Sequence, residues 1–324
     1  MKIVILDGFA VNPGDLDWGF LGKYGDYEVF AKTPDAECAG KCKGAEVVFT
    51  TRAKITAALL DECPTIKYVS ALGTGFDMID TDACRERGVQ VVNIPAYSTA
   101  SVAQLAIQML LALYSDLDGM RNIVRDGMWT GIPGYPYQNV NYTELDGMTL
   151  GLIGCGGIGS RVARIASALG MNVIAATAHH HEDTEYVKFL TVDEVRKNCD
   201  VLSLHCPLND STRGMVDAEF ISGMKPGAKL INTSRGAVLN EKDVAGALNS
   251  GRLSGAALDV LAVEPALPDN PLLTAKNCII TPHIAWASKA ARIRLLEVIK
   301  SSLESYVKTG KGQNIVAGCD GSGR

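Results

Sequence analysis

The stretch MTLGLIGCGGIGSRVARIASALG, residues 148–170, decides the fold of this chain. An apolar run that ends at Ile153 predicts a buried β-strand, and residues 154–159 read G-C-G-G-I-G, which matches the pattern G-x-G-x-x-G. The helix-forming segment RVARIASALG follows at once. Such glycines permit a tight turn, close approach of the backbone to a pyrophosphate and close packing of helix on sheet. Strand, glycine turn and helix together predict a dinucleotide site made by Gly154, Gly156, Gly157, Ile158 and Gly159.

Short apolar runs alternate with helical stretches on both sides of this motif, which predicts βαβ units with parallel sheets. Before the motif the predicted strands are 2–7, 45–50, 66–72 and 89–94, and after it they are 172–177, 200–205, 228–233, 255–260 and 278–282. Single helices are predicted over 101–124 and 290–307, and residues 127–142 are predicted to form an ordered arm. Residues 313–324 are polar and rich in glycine, so we expect them to be disordered.

Length and composition limit the classes of function. The 324 residues exceed what one compact core usually holds, so two domains are expected. The net charge of −5 argues against nucleic acid or an anionic membrane as a partner. The longest apolar stretch, 105–114, is too short to span a membrane, and the N-terminus lacks the apolar core of a signal peptide. Nine cysteines without a C-x-x-C pair are typical of a reducing compartment. We therefore predict a cytoplasmic protein with no metal site.

The choice of dinucleotide depends on the end of the strand that follows the glycine helix. NAD-specific sites usually carry an acidic residue there, about 20 residues beyond the glycines, to bind the ribose hydroxyls. This chain has Thr177, followed by Ala178 and three histidines at 179–181. Thr177 and His179 can donate hydrogen bonds to a 2′-phosphate, so the sequence favours acceptance of NADP(H) beside NAD(H). The histidine run is equally well interpreted as a solvated loop, and a metal site there is disfavoured because adjacent side chains point in different directions.

Three later segments place charged side chains where predicted strands end. INTSRGAVLN contains Arg235, GAALDVLAVEP contains Glu264, and CIITPHIAWAS contains His283. Ligands of open α/β sheets bind at the carboxyl ends of the strands. Each of these residues alone is typical of an ordinary surface group, whereas the three in this order after a dinucleotide motif indicate an active site.

On these motifs the chain resembles the D-isomer-specific 2-hydroxyacid dehydrogenase family over nearly its whole length. The resemblance rests on GLIGCGGIGSRVA, LHCPLNDSTRGMV, MKPGAKLINTSRGAVLNEKDV, GAALDVLAVEP and TPHIAWAS. The segments LDGFAVNPGDLDW and VVNIPAYSTASVAQ are most similar to its glycerate dehydrogenase, or hydroxypyruvate reductase, branch.

The resemblance implies an architecture that the pattern alone did not. It implies an α/β fold of two Rossmann-like domains with parallel sheets, in which the cofactor domain is inserted into a smaller flavodoxin-like substrate domain. Residues 1–98 and 289–324 would form the substrate domain, and 99–288 the dinucleotide-binding domain. The active site would lie in a cleft that closes by hinge motion. A homodimer is implied, with the long helix and arm of 101–145 at its interface.

The resemblance also implies roles for the charged residues. His283 would exchange a proton with the substrate oxygen, Glu264 would orient the imidazole, and Arg235 would bind the substrate carboxylate. The backbone amides of Gly73, Thr74 and Gly75 would hold that carboxylate from the other domain. Less specific expectations complete the site: Cys206 and Pro207 beside the adenine, Thr233 and Asp259 near the nicotinamide, and Arg52 and Trp286 on the substrate.

The predicted activity is therefore hydride transfer between NAD(P)H and a small 2-keto acid, giving a D-2-hydroxy acid, with hydroxypyruvate or glyoxylate as the expected substrate. Two alternatives remain open at this point. The same fold can act on a bulkier 2-keto acid, and some members of the family serve as NAD-sensing corepressors, in which protein binding matters more than turnover.

Overall fold

The computed structural model describes residues 1–130, 141–178 and 182–318. The chain divides into two compact units, one made of Met1–Ser98 together with the segment that starts at Ala287, and the other of Thr99–Trp286. His179, with the rest of the histidine run, and residues 131–140 of the predicted arm lie outside the described residues. The predicted α/β class with two mostly parallel sheets is confirmed.

Unit 1, the part that contains the N-terminus, is built on one sheet with the order β13-β5-β4-β3-β1-β2. All its strands run parallel except the last, which pairs antiparallel with β5. The strands are β1 Lys2–Ile5, β2 Asp26–Val29, β3 Val47–Thr50, β4 Tyr68–Ala71, β5 Gln90–Val92 and β13 Ile315–Ala317. The helices are α1 Gly8–Val11, α2 Cys38–Cys42, α3 Ala57–Glu62, α4 Thr81–Glu86 and α11 Lys289–Thr309.

The C-terminal helix α11 is fixed to the N-terminal segment of unit 1 by buried polar contacts. Arg292 is almost fully buried and donates two hydrogen bonds to the carboxylate of Asp15, at 2.6 and 2.8 Å. The same guanidinium donates to the carbonyl of Val11 at 3.1 Å. The hydroxyls of Tyr68, on β4, and Ser302, on α11, lie 2.9 Å apart. Unit 1 is therefore complete only when both ends of the chain are in place.

Unit 2 has a parallel sheet with the order β12-β11-β10-β9-β6-β7-β8. Its strands are β6 Thr149–Ile153, β7 Asn172–Ala176, β8 Lys188–Phe189, β9 Val201–Leu204, β10 Ala228–Asn232, β11 Leu253–Leu258 and β12 Cys278–Ile280. Its helices are α5 Thr99–Tyr114, α6 Leu117–Arg125, α7 Gly157–Ala168, α8 Val192–Asn198, α9 Ala218–Ser222 and α10 Glu241–Ser250. Strands β7 and β8 are added on one side of β6, and β9 to β12 are added on the other side. The order of the strands therefore switches between β6 and β9, as in dinucleotide-binding folds.

Both faces of the unit 2 sheet are covered. Successive side chains of a strand point to opposite faces, and on β9 Val201 joins the apolar core on one side while Leu202 and Leu204 join the core on the other. The first core contains buried residues of α5 and α7, and the second contains those of α8, α9 and α10. A sheet buried on both faces explains the continuous apolar runs from which the strands were predicted. Within residues 1–130, 141–178 and 182–318, no helix combines the length and the apolar composition of a membrane span.

Two details of the predicted elements were wrong. The single helix expected over 101–124 is broken into α5 and α6, because the Asp116 side chain caps a new helix by accepting a hydrogen bond from the Gly119 amide at 2.9 Å. The expected disorder from residue 313 is contradicted up to Gly318, since Ile315 and Ala317 pair with β5.

Candidate functional site

Two positions in the glycine loop of unit 2, Gly154 and Gly159, have surroundings that only glycine fits. Gly154 follows β6 with φ of +93°, and its amide donates to the carbonyl of Ala176 on β7 at 2.8 Å. A Cβ at this position would lie 2.7 Å from backbone atoms of both His205 and Cys206, after β9. A Cβ at Gly159 would lie 2.3 Å from the carbonyl oxygen of Gly154. The loop is therefore held tightly between three strand ends and the first turn of α7.

The outer side of this loop is open. Gly156 is the N-cap residue of α7, and a Cβ built on it meets no atom within 4 Å. Gly157 and Ile158 begin the helix, whose first turn carries no acidic side chain. The first amides of a helix have no acceptor within it and carry the positive end of the helix dipole. Space, amide donors and positive potential fit a dinucleotide pyrophosphate.

The residues predicted to surround the rest of the dinucleotide follow strands β7, β9 and β10. Thr177 comes directly after β7 and is half-buried. Cys206 is buried after β9, whereas the next residue, Pro207, is exposed. Thr233 follows β10, and its hydroxyl is buried without a hydrogen-bond partner among the described residues. This unpaired hydroxyl fits a site that is completed by a ligand.

His283 and Glu264 form a hydrogen-bonded pair. The imidazole Nδ1 lies 2.6 Å from Glu264 Oε2, and Glu264 Oε1 accepts a hydrogen bond from the amide of Leu261 at 3.1 Å. About 30% of the histidine side chain and 25% of the glutamate side chain are exposed. Nε2 of the imidazole has no partner among the described residues, so it is the nitrogen that can meet a substrate. A carboxylate on one ring nitrogen with the other accessible is the arrangement of a general acid–base catalyst.

Asp259 holds the loop that carries His283. Its carboxylate is buried and accepts three hydrogen bonds: from the Thr281 hydroxyl at 2.6 Å, the Ile284 amide at 2.9 Å and the Ala285 amide at 2.8 Å. The backbone of His283, between these contacts, has φ of +54°, which is uncommon for a residue with a side chain. The loop thus keeps the histidine in a backbone conformation that it would rarely adopt unassisted.

Asp259→Asn is expected to lower kcat by about 10- to 100-fold, because an amide group replaces one carboxylate oxygen and cannot accept a backbone N–H, so the imidazole shifts. Steady-state kinetics check this. The matched control is Asp200→Asn, since Asp200 binds the Thr149 amide and Lys225 at the opposite end of the sheet. A loss of turnover as large in the control as in Asp259→Asn would show a general effect on folding instead.

Arg235 is half-buried and lies on the loop that follows β10, which Asn232 shapes. The Asn232 side chain donates to the Arg235 carbonyl at 2.9 Å and accepts from the amide of Ser234 at 2.9 Å. A Cβ at Gly236 would lie 1.9 Å from the carbonyl carbon of Leu261. The Arg235 loop therefore packs backbone to backbone against the loop whose Leu261 amide binds Glu264. Local structure brings all three predicted catalytic residues to the carboxyl end of one sheet.

Trp286 lies in the His283 loop and is half-buried, whereas the other predicted substrate residues belong to unit 1. Arg52 is exposed after β3. Gly73, Thr74 and Gly75 follow β4, where the Gly73 carbonyl accepts from the Ile94 amide at 2.9 Å. The Thr74 hydroxyl donates to the Ile94 carbonyl at 2.9 Å. The glycine segment is thus ordered by the chain that follows β5.

Sequence reasoning missed His205, which directly follows β9 beneath the glycine loop. Its Nε2 lies 2.9 Å from the Ser203 hydroxyl, and a Cβ at Gly159 would lie 3.7 Å from the His205 Cβ. Burial lowers the pKa of His205 to about 4. The imidazole is therefore neutral at neutral pH and acts as a packing and hydrogen-bonding group under the loop. Its position directly after a strand in LHCPL was the available signal.

The lowered pKa of His205 predicts a stability change with pH. His205 binds a proton near pH 6.5 in the unfolded chain but only near pH 4 in the folded protein. Its contribution to the free energy of unfolding is therefore complete above pH 6.5 and is lost as the pH falls from 6.5 to 4. The slope from this one group is at most about 1.4 kcal/mol per pH unit. Urea unfolding at about pH 7.5 and 5 should show less loss for His205→Gln than for the unmodified protein. Equal losses would contradict this account of the buried ring.

Comparison with known proteins adds to this geometry. The sequence matches the family described as D-isomer specific 2-hydroxyacid dehydrogenase, NAD binding domain, over residues 107–285. It is 41% identical to a hydroxypyruvate reductase from Blautia hydrogenotrophica, over 98% of this chain and 99% of the relative.

Two solved structures share the fold. D-lactate dehydrogenase from Aquifex aeolicus, complexed with NAD and lactic acid, has a TM-score of 0.82 at 30% identity, covering 98% of this chain and 99% of that one. The NADPH-dependent glyoxylate/hydroxypyruvate reductase from Sinorhizobium meliloti, complexed with citrate, has a TM-score of 0.82 at 27% identity, covering 98% and 97%. The family predicted from the sequence motifs is confirmed.

Proposed function

This chain belongs to the D-isomer-specific 2-hydroxyacid dehydrogenase family, and on that premise we propose that it reduces hydroxypyruvate and glyoxylate to the corresponding 2-hydroxy acids. The observation that carries the proposal is the His283–Glu264 pair at the carboxyl end of a dinucleotide-binding sheet. The relative from Blautia hydrogenotrophica is a hydroxypyruvate reductase, and the structure from Sinorhizobium meliloti is a glyoxylate/hydroxypyruvate reductase. Both names support the small 2-keto acids as substrates.

Each proposed catalytic residue has a separate chemical role. A bound nicotinamide supplies the hydride for reduction and accepts it in the reverse direction. His283 Nε2 donates a proton to the substrate oxygen as negative charge develops there, and recovers it during oxidation. Glu264, on Nδ1, fixes the tautomer and the orientation of the imidazole. Arg235 binds the substrate carboxylate with its planar guanidinium.

Each unit has a proposed role. Unit 2 is the cofactor domain, in which Gly154, Gly156, Gly157, Ile158 and Gly159 hold the pyrophosphate. Unit 1 is the substrate domain, where the amides of Gly73, Thr74 and Gly75 bind the carboxylate. Arg52 and Trp286 complete the substrate contacts. The remaining contacts of the dinucleotide are assigned to Thr177, His179, Cys206, Pro207, Thr233 and Asp259.

Both dinucleotides are proposed as cofactors, with acceptance of NADP(H) resting on Thr177. A neutral hydroxyl at the end of β7 does not repel a 2′-phosphate, as the usual carboxylate would. Among the relatives, one structure holds NAD and another protein is NADPH-dependent by name. A tenfold or larger preference for NADH in kcat/KM would overturn this assignment.

The decisive assay follows consumption of reduced nicotinamide with hydroxypyruvate, glyoxylate, pyruvate and phenylpyruvate, each with NADH and with NADPH. We expect rapid turnover with the first two acids. Preference for phenylpyruvate would replace the proposal by a reductase of bulkier acids. Absence of turnover with every acid, together with capture of a peptide partner, would point to a dinucleotide-sensing binding protein.

A cytoplasmic homodimer is the proposed working form. Large apolar side chains are exposed along α5 and α6 and beside residues 131–140, and these are Leu111, Leu117, Val124, Met128, Trp129 and Tyr142. A surface of this kind is typical of a subunit interface. Light scattering after size exclusion should give twice the chain mass of 34.4 kDa. Leu117→Asp, at a side chain that is 74% exposed, should shift that mass toward the monomer.

A further inference from the structure

Unit 1 has its own topological switch point. Strand β2 is added on one side of β1, and β3 to β5 are added on the other side. The order of the strands therefore switches between β1 and β3. In open α/β sheets the crevice outside the carboxyl ends of such a strand pair is where ligands bind. The residues that follow β1 and β3 are therefore the first place to look for a ligand contact in this unit.

The loop after β3 is held rigidly at that point. Asp7, just after β1, is buried and accepts hydrogen bonds from the amides of Arg52 at 3.0 Å and Ala53 at 2.7 Å. The hydroxyl of Thr50, the last residue of β3, donates to the Ala53 carbonyl at 2.7 Å. A buried carboxylate bound to successive amides fixes the backbone of this loop as Asp259 fixes the His283 loop.

Thr51 is the exception within this ordered loop. Its hydroxyl is buried, yet it has no hydrogen-bond partner among the described residues. Buried polar groups are almost always paired, and an orphan inside a rigid loop at a ligand-binding edge indicates a partner that arrives from outside the protein.

Thr51 also neighbours the segment proposed to hold the substrate carboxylate. Strands β3 and β4 are adjacent and parallel, with Thr50 opposite Ala71. The amide of Leu72 donates to the Thr50 carbonyl at 2.7 Å, and Gly73 follows at once. The unpaired hydroxyl and the Gly73 loop thus leave the same edge of the sheet on neighbouring strands.

We propose that Thr51 determines specificity for 2-keto acids that carry a hydroxyl on the third carbon, by exchanging a hydrogen bond with that hydroxyl. The inference rests on the proposed function, in which Arg235, the Gly73 loop and His283 engage the carboxylate and carbonyl. Only the third carbon then distinguishes hydroxypyruvate from smaller keto acids. A threonine hydroxyl both donates and accepts, as the substrate hydroxyl does. A site built around such a bond discriminates strongly against analogues that lack the group.

The test compares Thr51→Val, which keeps the shape and removes the hydroxyl, with Thr51→Ser, which keeps the hydroxyl. The measured quantity is kcat/KM for hydroxypyruvate divided by kcat/KM for glyoxylate. We expect this ratio to fall about tenfold in Thr51→Val and to be restored in Thr51→Ser. The matched control is Thr50→Val, whose hydroxyl already has a partner, and it should leave the ratio unchanged.

Stability without ligands gives an independent readout. Replacing an unpaired buried hydroxyl by a methyl group should leave the thermal midpoint of Thr51→Val unchanged or raised, whereas Thr50→Val should lower it. An unchanged ratio in Thr51→Val, or a lowered midpoint in that variant, would overturn the assignment. Failure of the proposed function is seen separately, because the unmodified protein would then reduce neither acid.

Discussion

His283→Ala is expected to lower kcat for keto-acid reduction by at least about a hundredfold, the usual scale for loss of a general acid–base group. The imidazole is the titratable group whose Nδ1 is bound by a carboxylate while Nε2 has no partner among the described residues. Without it, the proton for the substrate oxygen has to come from water. The measurement is single-turnover and steady-state kinetics with hydroxypyruvate at saturating cofactor.

The controls for His283→Ala separate chemistry from binding. The affinity for the reduced cofactor, followed by fluorescence, should change little in this variant. The glycine loop proposed to bind the cofactor connects β6 to α7 and does not include His283. Glu264→Gln retains a side chain of the same shape on Nδ1 but lacks the charge, so a smaller loss than in His283→Ala is expected. A His283→Ala enzyme with near-normal turnover would refute the assignment of the proton to this residue.

The second large effect is expected at the glycine loop, where Gly154→Ala should destabilise unit 2 and abolish cofactor binding. The new Cβ would be strained by φ of +93° and would lie 2.7 Å from backbone atoms of two neighbouring residues. Backbone cannot move aside as a flexible side chain does. We expect a loss of about 3 kcal/mol or more in the free energy of unfolding, measured by urea denaturation without cofactor.

Gly156→Ala is the matched comparison, because its Cβ meets open space and its φ of −74° suits alanine. This variant should be as stable as the unmodified protein within about 1 kcal/mol. Its Kd for NADPH and NADH should rise by about tenfold or more, since the methyl group occupies the approach of the pyrophosphate. Normal cofactor affinity in Gly156→Ala would show that the dinucleotide does not pass over this residue.

Much of the fold was predictable because its signals are local. Buried parallel strands read as continuous apolar runs, and β7, β9 and β10 lie inside the predicted ranges for that reason, whereas β11 begins two residues before its predicted range. The short strands β2 and β8 were missed because their residues are exposed or only partly buried. With four and two residues, they are also too short for an alternation of polar and apolar residues to distinguish them from loops. Strand β13 forms through pairing with the distant β5, which no local pattern encodes.

The sequence predicted the reactive residues of the candidate site better than the contacts that hold them in place. Motifs indicated Arg235, Glu264 and His283, because glycines, prolines and charged groups at strand ends stand out in a sequence. Asp259 was expected near the nicotinamide, and the structure shows its carboxylate bound to the His283 loop. The orphan hydroxyl of Thr51 had no signal at all, since whether a polar atom has a partner depends on tertiary contacts.

The discontinuity of unit 1 has a consequence for synthesis on the ribosome. The chain leaves this unit after Ser98 and returns at Ala287, so all of unit 2 is translated before α11 and β13 exist. At a translation rate of about 5–20 residues per second, α11 is synthesised roughly 10 to 40 s after strands β1 to β5. This helix supplies the buried side chains of Leu295, Ile299 and Leu303. During that interval the edge of β5 and the apolar face beneath α11 are uncovered. We therefore expect the nascent N-terminal segment to expose apolar surface for longer than unit 2, which is translated in full before α11.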